Sequence, residues 1–223
     1  TVATATAAHR LAAASTEVKN AALIAIAEQI ESNSASILRA NGQDLDAAKR
    51  DGLSFHMLDR MTLNEARVKD MADAARNIAS LDDPIGEILE HRELPNGLDL
   101  EQVRVPLGVI CVIYESRPNV TIDIATLCLK SGNGVVLRGG KECIITNTVL
   151  AGIVKDAIES AGIPRDVVLF IESTDRALVG EMLEMDDVID LMIPRGSADL
   201  VNFVDQNAKM PAITGGVGVS HTY

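Results

Sequence analysis

The stretch from Val105 to Asn147, VPLGVICVIYESRPNVTIDIATLCLKSGNGVVLRGGKECIITN, constrains the fold of this chain more than any other. It reads as strand, helix, strand, helix. Gly108 to Tyr114 is an apolar run with β-branched residues, and Glu115-Ser116-Arg117-Pro118 stops it with a charged turn. An apolar helix is expected from about Val120 to Lys130, closed by the glycine signal of Ser131-Gly132-Asn133. Gly134 to Leu137 is the second strand, and Arg138-Gly139-Gly140-Lys141-Glu142 leads into the next element. A helical crossover joins parallel strands. The polar tips of both strands therefore share one sheet edge, the edge at which open α/β sheets bind ligands.

The rest of the chain is organised around that unit. Ala3 to Ser32, Ser34 to Lys49 and Leu63 to Ser80 carry apolar faces at helical spacing, which predicts three or four helices in an amino-terminal helical layer over 1–84. Ile85 to Pro106 has β-rich ends around Pro95-Asn96-Gly97, so an extended hairpin arm is expected over 85–106. From Leu107 strand and helix alternate, with strands expected near 108–114, 134–138, 167–171, 188–193 and 211–213. That pattern is α/β, a doubly wound and mostly parallel sheet, over 107–223.

Composition narrows the function classes. The net charge of −12 repels phosphate backbones, and two Tyr, three Phe and no Trp offer no base-stacking platform, so a nucleic-acid partner is not expected. Neither is a membrane, because no apolar segment has the length of a span. Cys111, Cys128 and Cys143 are too few for a disulfide scaffold and no export signal opens the chain, which points to a reducing cytoplasm. The four histidines are scattered without metal-ligand spacing.

Three clusters at strand ends carry chemistry, and each has two readings from local sequence. Arg138-Gly139-Gly140 is either a Gly-Gly turn with a solvated arginine or a close-approach loop whose guanidinium pairs with a phosphate, as a 2′-phosphorylated nucleotide requires. Lys141 extends that loop or forms the first turn of the next helix. Gly196-Ser197 is either an ordinary helix start or a phosphate site at a helix amino terminus. Glu115, Ser116, Arg117 and Asn119 form either a turn with a Glu115–Arg117 ion pair or a cluster at a reacting centre, with Arg117 holding an anion. Asp59-Arg60 reads as a helix-boundary ion pair. No GxGxxG or GxxxxGK[ST] motif occurs, so the chain is neither an ordinary Rossmann dehydrogenase nor a P-loop NTPase by motif.

YESRPNVT, LCLKSGNGVVLRGGKE and IDLMIPRGSADLV, together with KNAALIAIAEQI, HMLDRMTLNEARVKDMA, LDDPIGE and RVPLGVI, resemble the γ-glutamyl phosphate reductase branch of the aldehyde dehydrogenase superfamily along the whole chain. The resemblance implies an NADPH-dependent reductase of L-glutamyl 5-phosphate in proline biosynthesis, and a superfamily that binds its dinucleotide without the usual fingerprint. It implies that Arg138, Gly139, Gly140 and Lys141 face the adenine ribose and Gly196 and Ser197 the pyrophosphate. Glu115, Ser116, Arg117 and Asn119 would then stand beside nicotinamide and substrate. It also implies a homo-oligomer built through the 85–106 arm and a functional association with glutamate 5-kinase.

Such a reductase needs a cysteine thiolate. Cys111 and Cys128 read as packed core, and Cys143 stands at a helix start on the cofactor side, so the catalytic cysteine is expected beyond Tyr223. Gly215-Gly216-Val217-Gly218-Val219-Ser220-His221 departs from the family's histidine- and cysteine-containing run. Two other readings remain: another aldehyde or acyl dehydrogenase of the superfamily, or an inert dinucleotide-binding and assembly module.

Overall fold

The computed structural model describes residues 1–215. Five helices fill the first 84 positions: α1 (Val2–Ala12), α2 (Thr16–Ser32), α3 (Ser34–Arg50), α4 (Phe55–Met61) and α5 (Glu65–Ser80). The sequence reading allowed three or four. The additional boundaries come from Ser15 and Ser54, whose side chains accept the Val18 and Met57 N–H groups at 3.4 Å and so start α2 and α4.

The expected arm is present as β1 (Ile88–Glu93) paired antiparallel with β2 (Asp99–Val103). Both strands are exposed along their whole length. The arm therefore presents both of its strands to solvent.

The sheet consists of β3 (Val109–Tyr114), β4 (Gly134–Arg138), β5 (Val168–Phe170) and β6 (Leu191–Arg195), all parallel, in the order β5-β4-β3-β6. Its crossovers contain α6 (Asn119–Lys130), α7 (Ile144–Ser160) and α8 (Ala177–Met182), and α9 (Ala198–Asn207) follows β6. The doubly wound α/β expectation holds. Burial on both faces is what makes β3 and β4 continuous apolar runs. Ile110, Val112 and Tyr114 join the core built with α2, α5, α6 and α7, whereas Val109, Cys111 and Ile113 join the one built with α8 and α9.

Helix α1 reaches both cores. Ala7 and Leu11 of α1 pack into the first core, while Ala5 and Ala8 pack against the second, with Ala8 beside Gly134 at the start of β4. Helix α6 ends as its sequence signalled: the Gly132 N–H donates to Leu129 O at 3.1 Å and the Asn133 N–H to Cys128 O at 2.8 Å. Two strand expectations need correction. The last sheet strand is displaced from 188–193 to Leu191–Arg195, because Ile189 closes a turn onto Met185 O and the Asp190 carboxylate accepts the Val109 N–H at 2.7 Å. The expected strand at 211–213 is reduced to one bridge between Ala212 and Met192. The departure from the family run falls, from Gly216 to His221, outside the described residues.

Candidate functional site

Strand order reverses between β3 and β6. The chain leaves β3 toward β4 on one side, and β6 returns on the other, so the loops after these strands diverge and open a crevice at the carboxyl edge of the sheet. Glu115, Ser116 and Arg117 form one wall, Arg195, Gly196 and Ser197 the opposite wall, and Met57 and Arg60 of α4 cover it, enclosing about 470 Å³. A second cavity of about 460 Å³ lies at the amino ends of α5 and α6 and shares Arg60 and Arg117 with the first.

The structure thus brings the β3 and β6 clusters together and adds a residue that the sequence reading set aside. Arg60 does not pair with Asp59. The Asp59 carboxylate instead takes Arg67 at 3.3 Å, which leaves Arg60 lining both cavities. Nor does Glu115 pair with Arg117. Among the described residues, Arg60, Arg117 and Arg195 make no ion pair, although the chain as a whole carries a net charge of −12. Three guanidiniums without an ion-pair partner, against the one carboxylate of Glu115, leave the crevice net positive and make it a receiver for anions.

The amino end of α9 faces the same space. Ser197 caps the helix, its hydroxyl accepting the Leu200 N–H at 3.4 Å, and its own N–H donates to Glu115 Oε2 at 3.0 Å. The Glu115 carboxylate lies so close over Gly196 that a side chain there would meet its Cδ at 2.6 Å. A carboxylate thus occupies the position at which a helix amino terminus attracts phosphate oxygens.

Ser116 is the one non-glycine residue with positive φ among the described residues, at 55°. Its N–H and hydroxyl both donate to Glu142 Oε1, at 2.8 and 2.9 Å. Glu142 therefore holds the tip of β3 from the end of β4. Strained backbone at a strand tip over a crevice is a recurrent property of functional sites. The pairing spans 26 positions and left no local signal.

Arg138 does not extend into solvent from its strand tip. The residue is 9% exposed, and one guanidinium nitrogen donates to Asp175 O at 2.9 Å in the loop after β5. Burial and neighbouring Arg176 lower its pKa, against the pull of Asp175. Its Nε is buried without a partner among the described residues, as is Nδ2 of Asn147. Asn147 Oδ1 accepts from Thr121, which in turn bonds the Tyr114 hydroxyl at 2.6 Å, and Nδ2 lies against Gly139, where a Cβ would meet it. Gly139 is thus required by close approach, and Gly140 packs against the Glu142 carboxylate. Lys141 is exposed in a 3-10 turn.

On the far wall of the second cavity, the Asp123 carboxylate accepts from Asn119 Nδ2 at 2.9 Å. Burial raises its pKa, opposed by that hydrogen bond and by the charge of Arg195. None of the three thiols is poised for attack. All are buried, and desolvation pushes Cys111 and Cys128 up to about 12. Cys143 is raised by burial and further by Glu142 and Asp44, so its helix-start position gives no activation.

Comparison with known proteins places this geometry. The aldehyde dehydrogenase family model matches residues 1–215. The γ-glutamyl phosphate reductase of Escherichia coli O81 (strain ED1a) is 51% identical over 217 residues, which make up 97% of this chain and 52% of that protein. The crystal structure of γ-glutamyl phosphate reductase from Thermotoga maritima is similar with a TM-score of 0.95 and 39% identity, over 97% of this chain and 52% of the other. That from Saccharomyces cerevisiae gives 0.89 and 36%, over 97% and 55%. The chain spans about half the length of the curated relatives it matches.

Proposed function

We propose, from the premise that this chain belongs to the aldehyde dehydrogenase family, that it serves the NADPH-dependent reduction of L-glutamyl 5-phosphate to L-glutamate 5-semialdehyde and phosphate in proline biosynthesis. The observation that carries this reading is the convergence of Arg60, Arg117, Arg195 and the amino end of α9 on the crevice where strand order reverses. The similarity to γ-glutamyl phosphate reductases supports the substrate.

The residues fit a dinucleotide. Arg138 has an unfilled Nε and would face the 2′-phosphate, with Gly139, Gly140 and Lys141 along the ribose. Gly196 and Ser197 would take the pyrophosphate once Glu115 withdraws, Ser116 and Glu115 would flank the nicotinamide, and Arg117 and Asn119 the substrate anion. When bound, NADPH supplies hydride. The part of these residues is to bind and orient, because Cys111, Cys128 and Cys143 are all buried and would not supply the thiolate that displaces phosphate. We further assign 1–84 and 107–223 to one cofactor-binding domain, and 85–106 to an arm that joins copies of the chain. Association with glutamate 5-kinase in a reducing cytoplasm completes the reading.

Fluorescence titration of the chain with NADPH, and with NADH in parallel, tests it. NADPH should be preferred, and Arg138→Gln should weaken NADPH more than NADH. Equal losses would remove the 2′-phosphate role, and no binding of either would overturn the cofactor assignment.

A further inference from the structure

The second cavity, at the amino ends of α5 and α6, carries charge of both signs beside the apolar side chains of Leu63 and Met71. Its cations are Arg60, Arg67 and Arg117 and its anions Asp59, Asp70 and Asp123. Two of these six satisfy each other. Arg67 donates to Asp59 O and Thr62 O at 2.7 and 2.6 Å, and its other nitrogen reaches the Asp59 carboxylate. The remainder is two guanidiniums, Arg60 and Arg117, and two carboxylates, Asp70 and Asp123. Among the described residues neither guanidinium has a carboxylate partner, Asp70 has no hydrogen-bond partner, and Asp123 has only the Asn119 amide. Leu63 and Met71 suit methylene groups, but a simple dianion would meet as much repulsion as attraction.

We infer that this cavity receives the zwitterionic head of an α-amino acid. The α-ammonium lies between Asp70 and Asp123, and the α-carboxylate lies on Arg60 and Arg117. Because those two arginines also line the sheet-edge crevice, the far end of the side chain enters that crevice, where Arg195 waits for a second anionic group. The inference rests on the proposed reduction of L-glutamyl 5-phosphate and names what selects its glutamyl moiety. The determinant is charge pairing at both substituents of the α-carbon, which rejects analogues that lack either one by leaving a site charge unpaired.

The test is chemical-shift mapping on the whole chain with L-glutamate, glutarate and 4-aminobutyrate, which differ only in the α-substituents. L-Glutamate should perturb the amides around Thr62, Asp70, Asn119 and Asp123 and bind at least about tenfold more tightly than either analogue. Asp123→Asn and, separately, the more exposed Asp70→Asn should erase the preference over glutarate while keeping that over 4-aminobutyrate. Arg60→Gln should do the converse. Equal binding of all three ligands, perturbations confined to another surface, or no L-glutamate binding would each overturn the inference. The NADPH titration is independent of it. Cofactor binding without glutamate selectivity removes the head-group assignment alone, whereas glutamate selectivity without cofactor binding removes the reductase reading and leaves an amino-acid site.

Discussion

The carboxylate of Glu115, at the end of β3, accepts the backbone N–H of Ser197, at the start of α9, over 3.0 Å and 82 positions of sequence. The side chain fills the place that a phosphate oxygen would take, directly above Gly196. Glu115 therefore competes with an anionic ligand twice, by occupancy and by charge. Glu115→Gln keeps a hydrogen-bond acceptor and removes the charge, so it should tighten NADPH about fivefold, the scale of one carboxylate at a helix amino terminus. Titration of both proteins checks this, and a weaker complex would show that Glu115 is itself a ligand contact.

Glu142 satisfies both donors of buried Ser116 and keeps that residue at a φ of 55°. Removing the carboxylate by Glu142→Ala should cost about 1–3 kcal/mol, the usual scale for a buried donor left unpaired. Urea unfolding measures it as a lower midpoint with an unchanged m-value. An unchanged midpoint would mean that the β3 tip relaxes without loss.

All three thiols are buried and their pKa values raised. At pH 8 the folded chain should react with Ellman's reagent at none of them on the timescale of minutes, and at all three after unfolding in guanidinium chloride. A rapidly reacting thiol in the folded chain would restore Cys143 as a candidate nucleophile.

Two carboxylates give opposite contributions to acid stability. Burial alone would raise Asp83, but Lys19, Thr16 and the Ile85 N–H outweigh it and hold its pKa below the ordinary 3.8. Its stabilisation is present above that value and is lost as pH falls through the folded-state pKa. Asp123 has the reverse sign. Its raised pKa makes the ionised form unfavourable in the fold, and the cost vanishes as pH falls below 3.8. In melting curves between pH 2.5 and pH 7, Asp83→Asn should lower Tm at neutral pH and flatten its fall in acid, whereas Asp123→Asn should raise Tm at neutral pH. The same direction for both would refute the opposed assignments.

Local sequence carried the fold wherever a rule of short range applied. The apolar runs of β3 and β4, the cap at Ser197, the glycine end of α6 and the Pro95-Asn96-Gly97 turn lie within a few residues of their signals. It misplaced β6 by three residues at its start, because the β-branched pair Val188-Ile189 reads as a strand start and only its turn bonds show otherwise. Arg60 was set aside because Asp59 is its neighbour in sequence, whereas helix geometry gives Asp59 to Arg67.

The sequence by itself determined that strands end in polar tips on a common edge, since parallel crossovers admit no other arrangement. It also determined that glycines stand at those tips. Tertiary structure decided which charges remain unpaired there. It buried Arg138 beneath the loop after β5, seated Glu115 on α9, tied Ser116 to Glu142, and left Arg60, Arg117 and Arg195 facing the crevice. Pairing of charges depends on distances between segments far apart in the chain, and no local pattern of residues encodes those distances.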